Sequence, residues 1–190
     1  FEYKLRDMQQ AFTEIEECPV PVVAAMHGNV VGGAIDLMTA TQVRLCVVDT
    51  KFAVKEVALG LAADVGTLQR LPKVVNNQSL VHELCYTGRT FTAQEALQMG
   101  LVSRIVATRE ELYRDAMQLC CKIAQFSPLA IHGTKRSLLY SRDHSVKEGL
   151  DHIAAYNRLA LQAPDVQTAF LSAVTKERAT FGDIPPRARL

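Results

Sequence analysis

The feature that most restricts the fold is the short, nearly continuous apolar run Val20-Pro-Val-Val-Ala-Ala-Met26. Without polar alternation, such a run suits a strand buried on both faces. His27-Gly28 turn the chain, and Gly32-Gly33 lead into a helical pattern beginning near Ala34. Val43-Arg-Leu-Cys-Val-Val48 then predicts a second strand and Phe52-Ala-Val54 a third. Strand, glycine turn, helix, strand is the cadence of an α/β unit in which a helix packs on a sheet. Upstream, Phe1, Leu5, Met8, Phe12 and Ile15 recur at alternating spacings of four and three, one apolar helix stripe, which Cys18-Pro19 stops. Because the stripe already runs at Phe1, the natural N-terminus is expected to lie further upstream.

Beyond Thr67 the pattern turns mostly helical, with segments near 65–71, 77–86, 92–99, 108–125, 128–140, 145–162 and 164–179. Leu101-Val-Ser-Arg-Ile-Val106 is the one late strand expected. Thr92 and Ser127 read as N-caps, the latter with Pro128 at the first helical position. This divides the chain into a sheet-bearing core over 1–126, a helical region over 127–180 and a Pro- and Arg-rich tail over 181–190. The helical region is expected to pack on neighbouring subunits, although a cap on the chain's own core fits the pattern equally.

Charge narrows the partners. Against 20 acidic residues stand 21 basic ones, a net charge of +1. No basic field exists to hold a nucleic-acid backbone, so a polyanionic ligand must be met by a local patch. No apolar run approaches the ~18 residues of a membrane-spanning helix. Cysteines 18, 46, 85, 120 and 121 have neither metal-binding nor redox spacing. They read as buried thiols in a reducing compartment.

Three acids carry the chemistry. Asp36 opens an otherwise apolar helix, Glu56 follows the third strand, and Asp64 sits in Leu59-Gly-Leu-Ala-Ala-Asp-Val-Gly66, where nearly everything else is small or apolar. Carboxyl groups in greasy surroundings exchange protons nearer neutrality than they do in water. Each acid also has a plain reading: Asp36 as an early-turn acid on a helix dipole, Glu56 as a partner of Lys55 or Arg70, Asp64 as the cap of a helix starting at Val65. Together, beside a glycine turn whose amides point outward at a helix start, they mark a site for an oxygen that becomes anionic during reaction. His27, next to that turn, reads as a structural histidine. His82, His132, His144 and His152 have no partner visible in the sequence.

The run Pro-Val-Val-Ala-Ala-Met-His-Gly…Gly-Gly-Ala-Ile-Asp-Leu resembles the oxyanion-hole signature of the crotonase (enoyl-CoA hydratase/isomerase) family. Leu97-Gln-Met-Gly-Leu-Val-Ser103 and Ser127-Pro-Leu-Ala are similar to its later motifs, and the likeness covers essentially all of the chain before the tail. The resemblance implies an α/β crotonase-like fold, a sheet-and-helix spiral core with a helical C-terminal region, whose N-terminal part is missing here. Within the family, hydratases carry two glutamates where Asp36 and Glu56 stand. The trio Asp36, Glu56, Asp64, with Gly60-Leu-Ala-Ala-Asp-Val-Gly-Thr-Leu-Gln-Arg-Leu-Pro72 and Leu139-Tyr-Ser-Arg-Asp-His-Ser-Val146, is instead similar to the dienoyl-CoA isomerases.

That likeness implies conversion of a 3,5-dienoyl-CoA to the conjugated 2,4-dienoyl-CoA, auxiliary to fatty-acid β-oxidation. Gly32 and Gly33 would bind substrate, with the Gly33 N–H as one oxyanion donor and the second supplied upstream of residue 1. Glu56 would serve C2 and Asp64 C6, which of them is base and which acid staying open, while Asp36 would position or tune Glu56. It implies no metal or redox cofactor, coenzyme A entering as part of the substrate, and a homotrimer or hexamer. Lys135 and Arg136 would meet CoA phosphates from a neighbouring subunit or form a solvated helix face. Ala188-Arg189-Leu190 looks like a variant of the Ser-Lys-Leu peroxisomal address read by an import receptor, with mitochondrial residence as the alternative. The rival functions are an enoyl-CoA hydratase and, from another class, a non-catalytic RNA- or acyl-CoA-binding protein.

Overall fold

A computed structural model describes residues 2–183. The terminal Ala188-Arg189-Leu190 and Phe1, the first residue of the expected stripe, lie outside the described residues. Two compact units are present. One comprises the chain to Cys18 with Val22–Met117; the other comprises Pro19–Pro21 with the chain from Gln118 onward.

The first unit holds α1 (Glu2–Glu17), β1 (Val23–Met26), β2 (Asn29–Val31), α2 (Gly33–Thr39), β3 (Val43–Val47), β4 (Lys51–Ala53) and a 3₁₀ turn (Glu56–Leu59). It continues with α3 (Thr67–Val74), α4 (Gln78–Thr87), β5 (Phe91–Thr92), α5 (Ala93–Gln98), β6 (Arg104–Val106) and the first part of α6 (Arg109–Ile123). Parallel strands in the order β1-β3-β6 form one sheet, with Ala25 opposite Leu45 and Cys46 opposite Ile105. The second sheet is β2-β4-β5, parallel then antiparallel, with Val30 opposite Phe52 and Phe52 opposite Phe91. Gly28, at φ +69°, lets the chain step from the first sheet to the second, and its carbonyl accepts from Lys51 N–H at 2.8 Å.

The α/β cadence is as expected, and so are β1 and β3. Strands β2 and β5 were not expected: three and two residues are too few to show a period. The late strand is shorter than the apolar run predicted, because Leu101 and Val102 turn their N–H groups back to Ala96 O and bury their side chains. β1 likewise begins at Val23, since Pro19 and Pro21 have no N–H to give a ladder. Between the sheets and helices lies a core of Ile35, Met38, Phe52, Leu71, Leu84, Phe91 and Met99, with the Phe52 and Phe91 rings stacked at 5.4 Å. Thr92 caps α5 in a reciprocal capping box with Glu95.

In the second unit, α7 (Pro128–Tyr140), α8 (Val146–Ala160) and α9 (Pro164–Thr175) follow the last part of α6. Ser127 caps α7, as expected. Gly133 of α7 lies against the Tyr156 ring of α8, whose hydroxyl donates to Leu129 O at 2.8 Å. Lys135 is neither a solvated residue nor a displayed cation: it is 4% exposed, and its ammonium donates to Val20 O at 2.9 Å. His132 Nδ1 meets Pro19 O at 2.9 Å. A proline-flanked segment has few amides with which to pair, so side chains satisfy its carbonyls.

The thiols also depart from expectation. Cys46 and Cys85 are buried, but Cys120 and Cys121 are exposed. The inward stripe of α6 runs through Leu112, Ala116, Leu119 and Ile123, and residues 120 and 121 fall off it. Among the described residues, no helix is long and apolar enough to cross a membrane.

Candidate active site

The glycine turn is built by its backbone. Gly32, the N-cap of α2, holds φ +56° and ψ −122°, a combination that a side chain strains. Its N–H donates to Ala53 O at 3.1 Å, which hooks the turn onto the end of β4. Gly33 follows as the first residue of α2 and is exposed. Its N–H finds no backbone acceptor among the described residues, as the geometry of a helix start requires.

Glu56 leaves β4 through Val54 and Lys55 and begins the 3₁₀ turn. Its side chain reaches back to the glycines: Oε1 lies 3.3 Å from where a Cβ on Gly32 would stand. The residue is half-buried, and its Oε2 is buried without a hydrogen-bond partner. Cys85 of α4 senses this charge; burial first, and then the nearby Glu56, push its thiol up. Glu56 thus stands between the Gly32-Gly33 turn and α4. Arg70 is not its partner. That guanidinium pairs with Glu16 of α1 at 3.0 Å and donates to Thr13 Oγ1 at 3.1 Å.

Asp36 is completely buried in the first turn of α2. Its Oδ1 accepts the Thr67 N–H at 2.5 Å, while Oδ2 has no partner. Gly66 has no side chain with which to cap α3, so Asp36 supplies the acceptor from another element. Among the described residues no hydrogen bond joins Asp36 to Glu56; its visible work is on α3.

Asp64 is exposed, three residues before the Thr67 that Asp36 holds. It does not cap a helix starting at Val65, because α3 starts at Thr67 and its N-cap is Gly66. The Asp64 backbone is nonetheless pinned: Gln9 of α1 donates Nε2–H to Asp64 O at 2.7 Å. Sequence reasoning missed Gln9. The expected stripe placed Met8 inside, yet Met8 is 51% exposed and Gln9 turns inward.

His27 has the structural environment expected of it, its Nε2 lying 3.2 Å from the Tyr113 hydroxyl. His82 and His144 each bond within one helical turn, to the Tyr86 hydroxyl and to Tyr140 O, and His152 stacks on Tyr140. No group of three or more His, Cys, Asp or Glu among the described residues could hold a metal ion. A cavity of about 550 Å³ in the second unit is lined by Phe126, Ile131 and Arg178, and none of the three acids contributes to it.

Backbone amides at a helix start beside a partly buried carboxylate can stabilise an enolate oxygen and move a proton on the adjacent carbon. Known proteins with related chains carry compatible names. A human protein named "Delta(3,5)-Delta(2,4)-dienoyl-CoA isomerase, mitochondrial" is 52% identical over 166 residues, which are 85% of this chain and 51% of that protein. An Arabidopsis thaliana protein with the same name, but peroxisomal, is 41% identical over 181 residues, 95% of this chain and 65% of that one. The chain spans about half the length of the curated mammalian relatives it matches. The crystal structure of an enoyl-CoA hydratase from Bacillus anthracis superposes with a TM-score of 0.89 at 25% identity, over 95% of this chain and 69% of that one. With the enoyl-CoA hydratase/isomerase pattern matched over residues 3–181 as well, this α/β chain belongs to that family, the crotonases.

Proposed function

We propose that the full-length protein is a Δ3,5-Δ2,4-dienoyl-CoA isomerase. The observation that carries this reading is the Glu56 carboxyl group against the Gly32-Gly33 turn, with one oxygen buried and unpartnered. Names borne by relatives at about 50% identity support it. The thioester carbonyl accepts the Gly33 N–H, and the carboxylate of Glu56 takes a proton from C2. Negative charge spreads over the thioester oxygen and along the diene to C6, where the Asp64 carboxyl group delivers a proton. The double bonds move from C3–C4 and C5–C6 to C2–C3 and C4–C5, with no net change in protons or electrons. Two carboxyl groups suffice, so the reading calls for no metal or redox cofactor. Coenzyme A enters with the substrate.

The same reading carries a homotrimer or hexamer. Helices α8 and α9 bury none of their residues, and Leu150, Leu159, Phe170, Leu171 and Val174 are 60% or more exposed. Organellar residence, in the peroxisome or the mitochondrion, is proposed because relatives carry both locations in their names.

The test is to mix full-length protein with a 3,5-dienoyl-CoA and to follow the longer-wavelength absorbance of the conjugated product, with a 2-enoyl-CoA run in parallel. Isomerisation without appreciable hydration is expected. Hydration of the enoyl-CoA with no diene conversion would replace this reading by that of a hydratase.

A further inference from the structure

Asp64 presents a puzzle of position. A proton donor must be held to within a fraction of an ångström of its carbon, yet this acid is exposed, in a loop between the 3₁₀ turn and α3. Within Gly60-Leu-Ala-Ala-Asp64 only the small Ala63 is buried, and no polar side chain precedes Asp64 to fix it from within. The restraint comes from outside the loop, and much of it from α1.

Contacts from α1 and from Asp36 converge there. Gln9 Nε2 donates to Asp64 O at 2.7 Å. Arg6 Nη1 donates to Gln9 Oε1 at 3.2 Å, which turns the amide so that its N–H₂ end faces Asp64. Two residues beyond Asp64, Gly66 takes φ +138°, with the Arg70 guanidinium lying where a Cβ would be. That guanidinium is tied to Glu16 and Thr13. One residue further, the Thr67 N–H is held by Asp36 Oδ1. Gln9, Thr13 and Glu16 recur at spacings of four and three, so they form one face of α1 directed at the 64–70 segment.

We propose that Gln9 is a positioning residue for Asp64, and that α1 acts as an outer brace which sets the direction of the Asp64 carboxyl group. The proposal rests on Asp64 working at C6. Gln9 touches no reacting atom in this scheme. It fixes the carbonyl of the residue that does, and the Arg6 contact makes the fixing directional. Thr13 and Glu16 hold the other end of the loop through Arg70. The sequence disguises the device, because a glutamine on an amphipathic helix reads as part of its polar face.

The test uses full-length enzyme with Gln9→Met, which keeps length and removes the donor, and Gln9→Glu, which sets an acceptor against the carbonyl. For Gln9→Met, kcat for diene isomerisation should fall about tenfold with KM within about twofold, since a donor displaced by part of an ångström loses rate and not binding. Gln9→Glu should fall further. In an Asp64→Asn background, adding Gln9→Met should cost less than about twofold, because a residue acting through Asp64 has nothing left to position. Unchanged kcat in Gln9→Met, or a full additional tenfold loss in the Asp64→Asn background, would overturn the proposal. Failure of wild-type enzyme to isomerise the diene would instead overturn the functional reading, so the two failures are distinguishable. Circular dichroism and a melting curve on each variant keep misfolding separate from misplacement.

Discussion

Replacing Gly32 with alanine perturbs the turn and the acid together. Gly32 holds φ +56° and ψ −122°, and a residue with a Cβ in such a region is strained by about 1–3 kcal/mol. The new Cβ would stand 3.3 Å from Glu56 Oε1, so the carboxyl group must retreat by a few tenths of an ångström. Backbone rotation offers little relief, because the Gly32 N–H is bonded to Ala53 O at 3.1 Å and turning it away releases β4. With a urea m-value of about 2 kcal/mol per molar, that strain lowers the unfolding midpoint by about 0.5–1.5 M. Turnover of a 3,5-dienoyl-CoA, measured in buffer where the variant is fully folded, should fall about three- to tenfold, given that a 1 Å misplacement costs about a hundredfold. A midpoint within about 0.2 M of wild type with full turnover would refute both the turn geometry and the placement of Glu56. Lost stability with full turnover would separate Glu56 from the chemistry.

Asp36→Ala leaves the Thr67 N–H without its acceptor and should destabilise the protein by about 1–3 kcal/mol, whereas Asp36→Asn keeps an acceptor oxygen and should retain most of that stability; equal denaturation midpoints for the two would contradict this role. Gly133→Ala gains about 1 kcal/mol of helix propensity but drives a methyl group into the Tyr156 ring, 2.3 Å from Cε1, with the ring tethered through its hydroxyl. The net effect should be a loss of about 1–3 kcal/mol, and a raised melting temperature would show that α7 and α8 do not pack this closely. Burial pushes the Cys46 thiol up to about 11, so near pH 8 only about one molecule in a thousand carries the reactive thiolate. Iodoacetamide followed by mass spectrometry should therefore mark Cys120 and Cys121 well before Cys46, and labelling of Cys46 at a comparable rate would contradict its burial.

Elements with a long period or a long apolar run were legible in the sequence. β1 and β3 show as uninterrupted apolar stretches, the helices as stripes, and Thr92 and Ser127 as caps, because each signal is local. β2 and β5 are too short to carry one and exist through pairing with β4. Glu56 was found because an acid beside apolar neighbours is unusual, and the structure brings it to Gly32, 24 residues earlier in the chain. Contacts that depend on long-range geometry were invisible: Asp36 on the Thr67 N–H, Gln9 on the Asp64 carbonyl, Lys135 on the Val20 carbonyl. In each a polar side chain satisfies a backbone group of another element, and no spacing within one element announces such a bond.

Isotope position reads the division of labour between the two carboxyl groups directly. Full-length enzyme, Glu56→Gln and Asp64→Asn are each incubated in D₂O with a 3,5-dienoyl-CoA, and deuterium at C2 and C6 is located by NMR. Wild-type enzyme should place label at C6 of the product; Glu56→Gln should lose exchange at C2 together with conversion; Asp64→Asn should keep exchange at C2 while C6 labelling drops by about a hundredfold or more. Labelling at C6 by Asp64→Asn at the wild-type rate, or exchange at C2 undiminished in Glu56→Gln, would contradict the assignment.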